Sequence, residues 1–286
     1  GLTSGLIQAQ AGPFQGRQDQ EYWMVTFMSG YSYWQECWRG FKDAADLFGV
    51  KASYGGSTRF DLNESLTELE QIVALKPAGI AVTAMDPDAY APIIDRAIDD
   101  GVAVVTFDID SPKSKRYTFL GTEDYQAGAT AARFVAEDLG GKGKVAAIGA
   151  ITQSNIMARI NGFVDTLEAD YPNIEVVQVV DSGQDDTVAA SNATSLLLTN
   201  PDIDYVLCAL AIASNGAQQA IRELGLQGRV KIITFDTETV TLDAIRDGRI
   251  AATISQAPYC QGFWSMVYLY FIHNDLIKSV DDWAAK

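Results

Sequence analysis

Short runs of apolar, β-branched residues recur along the chain from residue 23 onward, and a longer amphipathic stretch follows each of them. Such alternation is typical of repeated βαβ units, in which a helix connects two strands of a parallel sheet. The predicted strands cover residues 23–28, 50–54, 79–83, 102–107, 144–149, 174–179, 205–209, 230–234 and 250–254. The pattern therefore predicts an α/β protein with parallel sheets.

Capping residues mark where several connecting helices begin and end. Gly49 follows a helical pattern over residues 33–48, as a left-handed C-cap does. Asp86 precedes Pro87, which predicts an N-cap with proline in the first helical position. The pattern over residues 124–139 stops at two glycines. An apolar stretch at 263–272 is shorter than the roughly 20 residues of a membrane span, so we predict a buried helix.

One internal repeat bears on the architecture. The pentapeptides VVTFD at 104–108 and IITFD at 232–236 are near copies, and each ends a predicted strand with an aspartate. Such repetition indicates two lobes built on the same plan. Ligands of open parallel sheets bind at the carboxyl ends of the strands. We therefore expect Asp108 and Asp236 to point into one cleft shared by the lobes.

The residues directly after the predicted strands are aromatic, acidic or amide-bearing. Ring faces suit the C–H faces of a sugar, while carboxylates and amides exchange directional hydrogen bonds with hydroxyl groups. The combination indicates a polyhydroxyl-binding site without catalytic groups. Arg159 joins the set because it shares a helix face with Asn155. The candidate ligand-binding residues are Tyr31, Tyr33, Trp34, Asp108, Asn155, Arg159, Gln184, Asp236 and Gln256.

Several residues at or near the predicted strand ends have a simpler structural interpretation. Asp86 is explained fully as a helix N-cap. Tyr33 and Trp34 could pack on the core, although adjacent helical residues should not both face one apolar stripe. Arg159 could pair with an acidic neighbour and only order the segment that joins the lobes.

Charge and the reactive residue types exclude several classes of protein. A formal net charge of −16 over 286 residues repels a phosphate backbone, so we expect no nucleic-acid partner. The single histidine, His273, does not allow the usual histidine-dependent triads or metal sites. We therefore expect no enzyme, no cofactor and no metal.

The three cysteines are too few for a disulfide scaffold, and Cys208 lies inside an apolar strand. Cys37 and Cys260 follow Tyr33 and Gln256 by four residues each, on helices expected to cover the same sheet face. We predict a disulfide between Cys37 and Cys260, with two independent buried thiols as the alternative.

Six motifs, together with the aromatic pair Tyr33-Trp34, extend over residues 23–274. They are VTFD at 105–108, RINGF at 159–163, NPD at 200–202, ITFD at 233–236, DG at 247–248 and AATISQ at 251–256. In these motifs the chain resembles the ribose-binding-protein-like type I periplasmic binding proteins. That resemblance implies two Rossmann-like lobes joined by three crossovers, and delivery of a monosaccharide to an ABC permease and sometimes to a chemoreceptor.

The resemblance also assigns roles to residues. Tyr33 and Trp34 would sandwich the sugar, Asp108 and Asp236 would accept hydroxyl protons, and Gln256 would bond the ligand beside a hinge. Three departures stand where the family usually has two arginines and an asparagine, which disfavours ribose and favours another monosaccharide, a cyclitol or a polyol. These departures are Ile109, Met157 and Leu210.

The resemblance sets the expected boundaries and location. We expect a flexible tail at 1–20, one lobe at 21–122 plus 257–276, the other at 123–256, and a third crossover at 277–286. Ala9 and Ala11 have the small-x-small spacing of a signal-peptidase site, which indicates a periplasmic or other extracytoplasmic location. We expect a monomer.

Four alternatives stay open at this point. The same fold serves ligand-sensing receptor ectodomains and repressors, although residues 1–20 have no basic helix-turn-helix pattern. Asp108 and Asp236 could act as acid and base on a glycoside. Aromatic faces with two carboxylates and no nearby arginine could instead cage a small cationic amine.

Overall fold

The computed structural model describes residues 19–183 and 185–277, which form alternating strands and helices. The strands are β1 (Glu21–Thr26), β2 (Lys51–Gly56), β3 (Gly79–Val82), β4 (Ala103–Phe107), β5 (Phe119–Leu120), β6 (Gly143–Gly149), β7 (Ile174–Asp181), β8 (Tyr205–Cys208), β9 (Lys231–Phe235) and β10 (Ala252–Ile254). The helices are α1 (Ser32–Phe48), α2 (Leu62–Ala74), α3 (Pro87–Asp99), α4 (Asp124–Asp138), α5 (Ser154–Asp170), α6 (Asp186–Thr199), α7 (Ala211–Glu223), α8 (Thr239–Arg246) and α9 (Pro258–His273).

The strands form two parallel sheets with one topology. Their orders are β2-β1-β3-β4-β5 and β10-β9-β8-β6-β7. In each sheet the second strand along the chain, β2 or β7, lies at the edge beside the first strand, β1 or β6. The chain divides into two compact units, which we call unit 2 (residues 122–256) and unit 1 (the residues before and after it). The predicted α/β class, with two Rossmann-like lobes, is confirmed.

Helices cover both faces of each sheet, which explains why inner strands such as β3, β4 and β8 are buried along their whole length and form continuous apolar runs. In unit 1, Tyr22, Met24 and Phe107 pack under α1 and α9, while Ile80 and Val104 pack under α2 and α3. Unit 2 has one large core around β6, β8 and β9. Strand β5 was missed because its two residues are only half-buried and form no apolar run.

The predicted helix caps are present. Gly49 is left-handed, with φ of 67°, and closes α1 through its backbone N–H. The Asp86 carboxylate accepts from the backbone N–H groups of Asp88 and Ala89, with Pro87 in the first turn. Asp86 is therefore a helix cap, as the structural interpretation of it predicted.

In each unit, a reciprocal pair of glycines brings two helices into close contact. A Cβ atom on Gly40 would lie 2.0 Å from the carbonyl oxygen of Tyr259, and one on Gly262 would lie 1.7 Å from that of Cys37. These contacts join α1 to α9. In unit 2, Gly128 approaches the Arg159 carbonyl and Gly162 approaches the Tyr125 carbonyl in the same reciprocal way, at 1.9 Å each. Only glycine allows backbones to approach this closely.

The predicted disulfide between Cys37 and Cys260 is not formed, although their helices do pack together. Cys37 is buried in the unit 1 core, while Cys260 is exposed. The close contact between these helices is made by Gly262 against the Cys37 carbonyl, and Cys260 lies in the first turn of α9. Cys208 is fully buried, as predicted.

Within the described ranges, no helix combines the length and the apolar character that crossing a lipid bilayer requires. Helix α9, which contains the apolar stretch predicted to be buried, packs on the unit 1 sheet and contributes Met266, Leu269 and Tyr270 to its core.

Candidate functional site

The two strand-tip aspartates occupy equivalent places in the two units. Asp108 follows β4 and Asp236 follows β9, and both have left-handed backbones, with φ of 61° and 76°. Each backbone N–H donates to the next strand of its sheet, Asp108 to Leu120 at 3.1 Å and Asp236 to Ile254 at 3.0 Å. Both side chains are buried. A left-handed non-glycine residue is strained, and such residues cluster at ligand sites.

The predicted aromatic residues of unit 1 lie together at the carboxyl edge of its sheet. The Trp34 ring meets Tyr33 at 5.0 Å, Phe107 at 6.0 Å and Tyr31 at 6.4 Å between ring centroids, all edge-on. Because Phe107 directly precedes Asp108, the cluster lies beside the strand tip. The side chains reach this edge because α1 begins there, after β1.

One expectation about this cluster was wrong. Tyr33 and Trp34 are both buried in the unit 1 core, whereas we expected at least one to point away from it. The buried stripe of α1 contains the adjacent pairs Tyr33-Trp34 and Ala44-Ala45, so it is wide enough for neighbouring residues. The Tyr33 hydroxyl accepts from Gln261 Nε2 at 3.0 Å.

An ion pair that the sequence did not predict orders the loop after Asp108. Arg116 donates two hydrogen bonds to the Asp110 carboxylate, and its side chain is only 7% exposed. Thr106 and the backbone N–H of Ser111 donate to the same carboxylate. The contacts hold the loop that continues from the strand tip, which sequence spacing could not show because the partners share no motif.

In unit 2, three predicted residues form a continuous hydrogen-bonded chain. Gln256 Nε2 donates to Asp236 Oδ1 at 2.6 Å, and Gln256 Oε1 accepts from the Arg159 guanidinium. Arg159 also lies over the Phe235 ring, 4.4 Å from its centroid. The structure thus brings Arg159, Gln256 and Asp236 together at the carboxyl edge of this sheet.

The other predicted residues of unit 2 are placed less closely. Asn155 lies in the first turn of α5, one turn before Arg159. Its Oδ1 atom, like Trp34 Nε1 in unit 1, is buried without a hydrogen-bond partner in the described part of the chain. Gln184 lies outside the described residues.

Two residues of the unit 2 network were missed from the sequence. Arg159 Nε donates to Asp124 Oδ1 at 2.7 Å, with side chains only 2% and 12% exposed, so Arg159 does pair with an acidic neighbour. Thr122 Oγ1 bonds Gln256 Oε1 at 3.1 Å. Acidic residues are common in the first turn of a helix because they favour its dipole, so nothing in the sequence distinguished Asp124 from other such residues.

Burial is the largest influence on the pKa values of Asp236 and Asp124. Burial raises the pKa of Asp236, against the opposing effects of the Arg159 charge and of N–H groups from Gln256 and Ala211. Burial also raises the pKa of Asp124; the Arg159 charge opposes this, and the charges of Glu123 and Asp236 add to it. The backbone N–H of Ala211 belongs to the first turn of α7, where a carboxylate is favoured.

These shifts predict a pH-dependent stability without any ligand. Because the folded-state pKa values lie above the unfolded value of about 3.9, the native state holds more protons than the unfolded chain from pH ~4 upward. The contribution of both carboxyls to stability therefore falls as pH rises through that window. Asp236→Asn removes one of them, so its stability relative to wild type should improve as pH rises above ~4 and level off once Asp236 is ionised in the folded wild type. Urea unfolding at several pH values measures this, and a constant difference would contradict it.

The three departures from the family pattern are apolar and packed. Ile109 is buried against the α1 and α9 face of the unit 1 sheet. Leu210 is buried and Met157 is partly buried, and both pack on the unit 2 core. Positions expected to carry guanidinium or amide groups therefore contribute hydrocarbon at these edges.

A family model described as a periplasmic binding protein domain matches residues 22–273. The chain belongs to this family. A sugar-binding protein of a sugar ABC transporter from Bacillus halodurans is 40% identical, with a TM-score of 0.88, over 91% of this chain and 89% of that one. The arabinose-binding protein AraP from Geobacillus stearothermophilus is 41% identical, with a TM-score of 0.85, over 92% and 90%.

A more distant relative of this periplasmic binding protein is the xylose/arabinose-binding protein XylF of Sulfolobus acidocaldarius, 24% identical over 96% of this chain and 73% of that protein. The predicted resemblance to type I periplasmic sugar-binding proteins is confirmed by these matches. The relatives are named as binding proteins and not as enzymes.

Proposed function

We propose that this protein is the extracytoplasmic solute-binding component of an ABC importer, and that it captures a monosaccharide between its two lobes. Family membership and the 40% identity to a sugar-binding protein of a sugar ABC transporter support the transport role. The family also supports an extracytoplasmic location.

The single observation that carries the sugar proposal is the pair of strand-tip aspartates, each buried and left-handed at the same place in its unit. Carboxylates are acceptors for sugar hydroxyl groups, and a left-handed backbone fixes the direction of each side chain. The Trp34 cluster supplies ring surface beside Asp108. The buried polar atoms of Trp34 and Asn155 would gain hydrogen bonds from a polyhydroxyl ligand.

Among monosaccharides we propose a pentose of the arabinose or xylose type as the first ligand to test. The proteins named for arabinose and for xylose and arabinose are relatives of this chain. Ribose is disfavoured because Ile109, Met157 and Leu210 offer no polar groups where the ribose-binding pattern has arginines and an asparagine.

A cationic amine is a weaker proposal than a sugar. That alternative required carboxylates without a nearby arginine, and Arg159 lies close enough to Asp236 to lower its pKa against the effect of burial. A cation at Asp236 would meet this like charge in a buried environment, which is unfavourable.

The proposed mechanism is hinge closure. A sugar that contacts both lobes stabilises the closed state by its differential contacts, and the permease then recognises the closed shape. The chain passes between the units after residues 121 and 256, so the hinge would include these passages. Residues 278–286 of the predicted third passage lie outside the described residues.

A thermal-shift screen tests this function directly. At a concentration of about 100 Kd, a ligand stabilises the native state by ~2.7 kcal/mol, which raises Tm by roughly 5–10 °C for units of this size. The panel comprises arabinose, xylose, ribose, galactose, alditols, inositols and small amines. We expect this response from one or two of its pentoses or hexoses. A response to amines alone, or none to any sugar, would overturn the proposal.

A further inference from the structure

The Arg159 guanidinium is fixed by three directed contacts within unit 2. Its Nε donates to Asp124 Oδ1 at 2.7 Å, one terminal nitrogen donates to the Ala209 carbonyl at 3.0 Å, and the other donates to Gln256 Oε1. The side chain is only 2% exposed. A buried cation needs a carboxylate partner, and Asp124 forms a salt bridge with it.

Arg159 in turn fixes the direction of the Gln256 amide. Gln256 Oε1 accepts from Arg159 and bonds the hydroxyl of Thr122, so its Nε2 points to Asp236. The reversed amide would place N–H groups against the guanidinium, which has no acceptor. The Gln256 N–H is therefore held on Asp236 Oδ1, and the orientation of this carboxylate depends on it.

Asp124 is held in place by the packing of two helices. It is the first residue of α4, and α4 crosses α5 where Gly128 and Gly162 meet carbonyl groups of the opposite helix. One of these carbonyls belongs to Arg159 itself. The close crossing therefore sets the separation between the carboxylate of one helix and the guanidinium of the other.

We propose that Asp124 is a positioning residue of the ligand site, which holds Arg159 on Gln256 and keeps it from pairing directly with Asp236. This inference rests on the proposed function. The Arg159 charge also acts on the Asp236 carboxyl group, to which Gln256 connects it. If Asp124 were lost, the buried guanidinium would neutralise its charge on Asp236 and occupy the acceptor that a sugar hydroxyl needs.

Asp124 also lies in the first turn of α4, where any acidic residue favours the helix dipole. A role limited to the helix would lower Tm without changing the environment of Arg159 or the affinity for sugar. The NMR signal of the Arg159 Nε–Hε group reports that environment directly, and it can be recorded without sugar.

The test compares Asp124→Ala and Asp124→Asn with Asp170→Asn, a control at an exposed carboxylate at the end of α5. Calorimetry would use the sugar with the largest thermal shift. Asp124→Ala should bind it about 10- to 100-fold more weakly and shift the Arg159 Nε–Hε signal, because a charged hydrogen bond is lost. Asp124→Asn keeps a neutral acceptor, so its Arg159 Nε–Hε signal should stay at the wild-type position and its affinity for the sugar should fall about three- to tenfold. Asp170→Asn should match wild type.

Wild-type affinity in a folded Asp124→Ala protein, or an unmoved Arg159 signal, would overturn the proposal. If Asp124→Ala does not fold, Asp124→Asn decides, and wild-type affinity in that variant is the overturning result. Should wild type bind no sugar while the Arg159 signal still moves in Asp124→Ala alone, the sugar function fails and the positioning of Arg159 by Asp124 stands.

Discussion

Asp236→Ala is expected to bind its sugar about 30-fold more weakly or worse while it remains folded. Truncating one partner of a buried, charged hydrogen-bond network costs about 2–5 kcal/mol, and 1.4 kcal/mol is tenfold in affinity. The carboxylate accepts from Gln256 Nε2 at 2.6 Å and, by the proposal, from a sugar hydroxyl as well. Calorimetry with the sugar chosen by thermal shift measures the loss.

Two further variants separate the lost carboxylate from a backbone effect. Asp236 has φ of 76°, a conformation in which alanine is strained by about 1–2 kcal/mol but asparagine is tolerated. Asp236→Asn therefore keeps the backbone and one acceptor oxygen, and should bind weakly through loss of charge alone. Asp170→Ala, at an exposed site in the same unit, should bind normally. Unchanged affinity in folded Asp236→Ala would remove Asp236 from the site.

Gly162→Ala is expected to destabilise unit 2 by roughly 3 kcal/mol or more, because overpacking against backbone leaves no side chain to move aside. The new Cβ atom would lie 1.9 Å from the Tyr125 carbonyl oxygen, so α4 and α5 must separate. Gly262→Ala does the same in unit 1, at 1.7 Å from the Cys37 carbonyl. Gly30→Ala is the matched control, because nothing lies within 4 Å of its added Cβ.

The distribution of tryptophan allows the two units to be followed separately. The four tryptophans in the described ranges all belong to unit 1, so their fluorescence reports on that unit while circular dichroism reports on both units. In urea, Gly262→Ala should lower the fluorescence midpoint. Gly162→Ala should lower the urea midpoint of the part of the dichroism transition that comes from unit 2, and leave the fluorescence midpoint less affected. A Gly162→Ala midpoint equal to that of Gly30→Ala would show that the helices can separate at little cost.

The strand tips were predictable because strand identity and sheet edge depend on local pattern. The near-identical pentapeptides that end in Asp108 and Asp236 are visible in the sequence alone. A parallel sheet then places all the carboxyl ends of its strands on one edge. Apolar runs also predicted nine of the ten described strands. Their ends differ from the predicted ones by one or two residues at most positions, since propensity does not fix where hydrogen bonding stops.

Side-chain direction and long-range partners were not predictable in the same way. The buried stripe of α1 proved wide enough for both Tyr33 and Trp34, because α9 and the sheet together cover it. Cys260 is exposed while Cys37 is buried, a difference that their equal spacing from Gln256 and Tyr33 could not reveal. Both errors arose because spacing along the sequence was used to infer the direction of a side chain, which also depends on how the helix packs.

By itself, the sequence determined the α/β class, the repeated plan of the units, the family, and the strand-tip carboxylates, since each depends on residues close together in the chain. Only the tertiary structure decided which groups those carboxylates meet. Asp124, Arg159 and Gln256 are far apart in sequence, and they meet because α4 and α5 cross on Gly128 and Gly162 at the edge where β9 ends. Such contacts arise from packing between whole elements, which no local pattern of residues specifies.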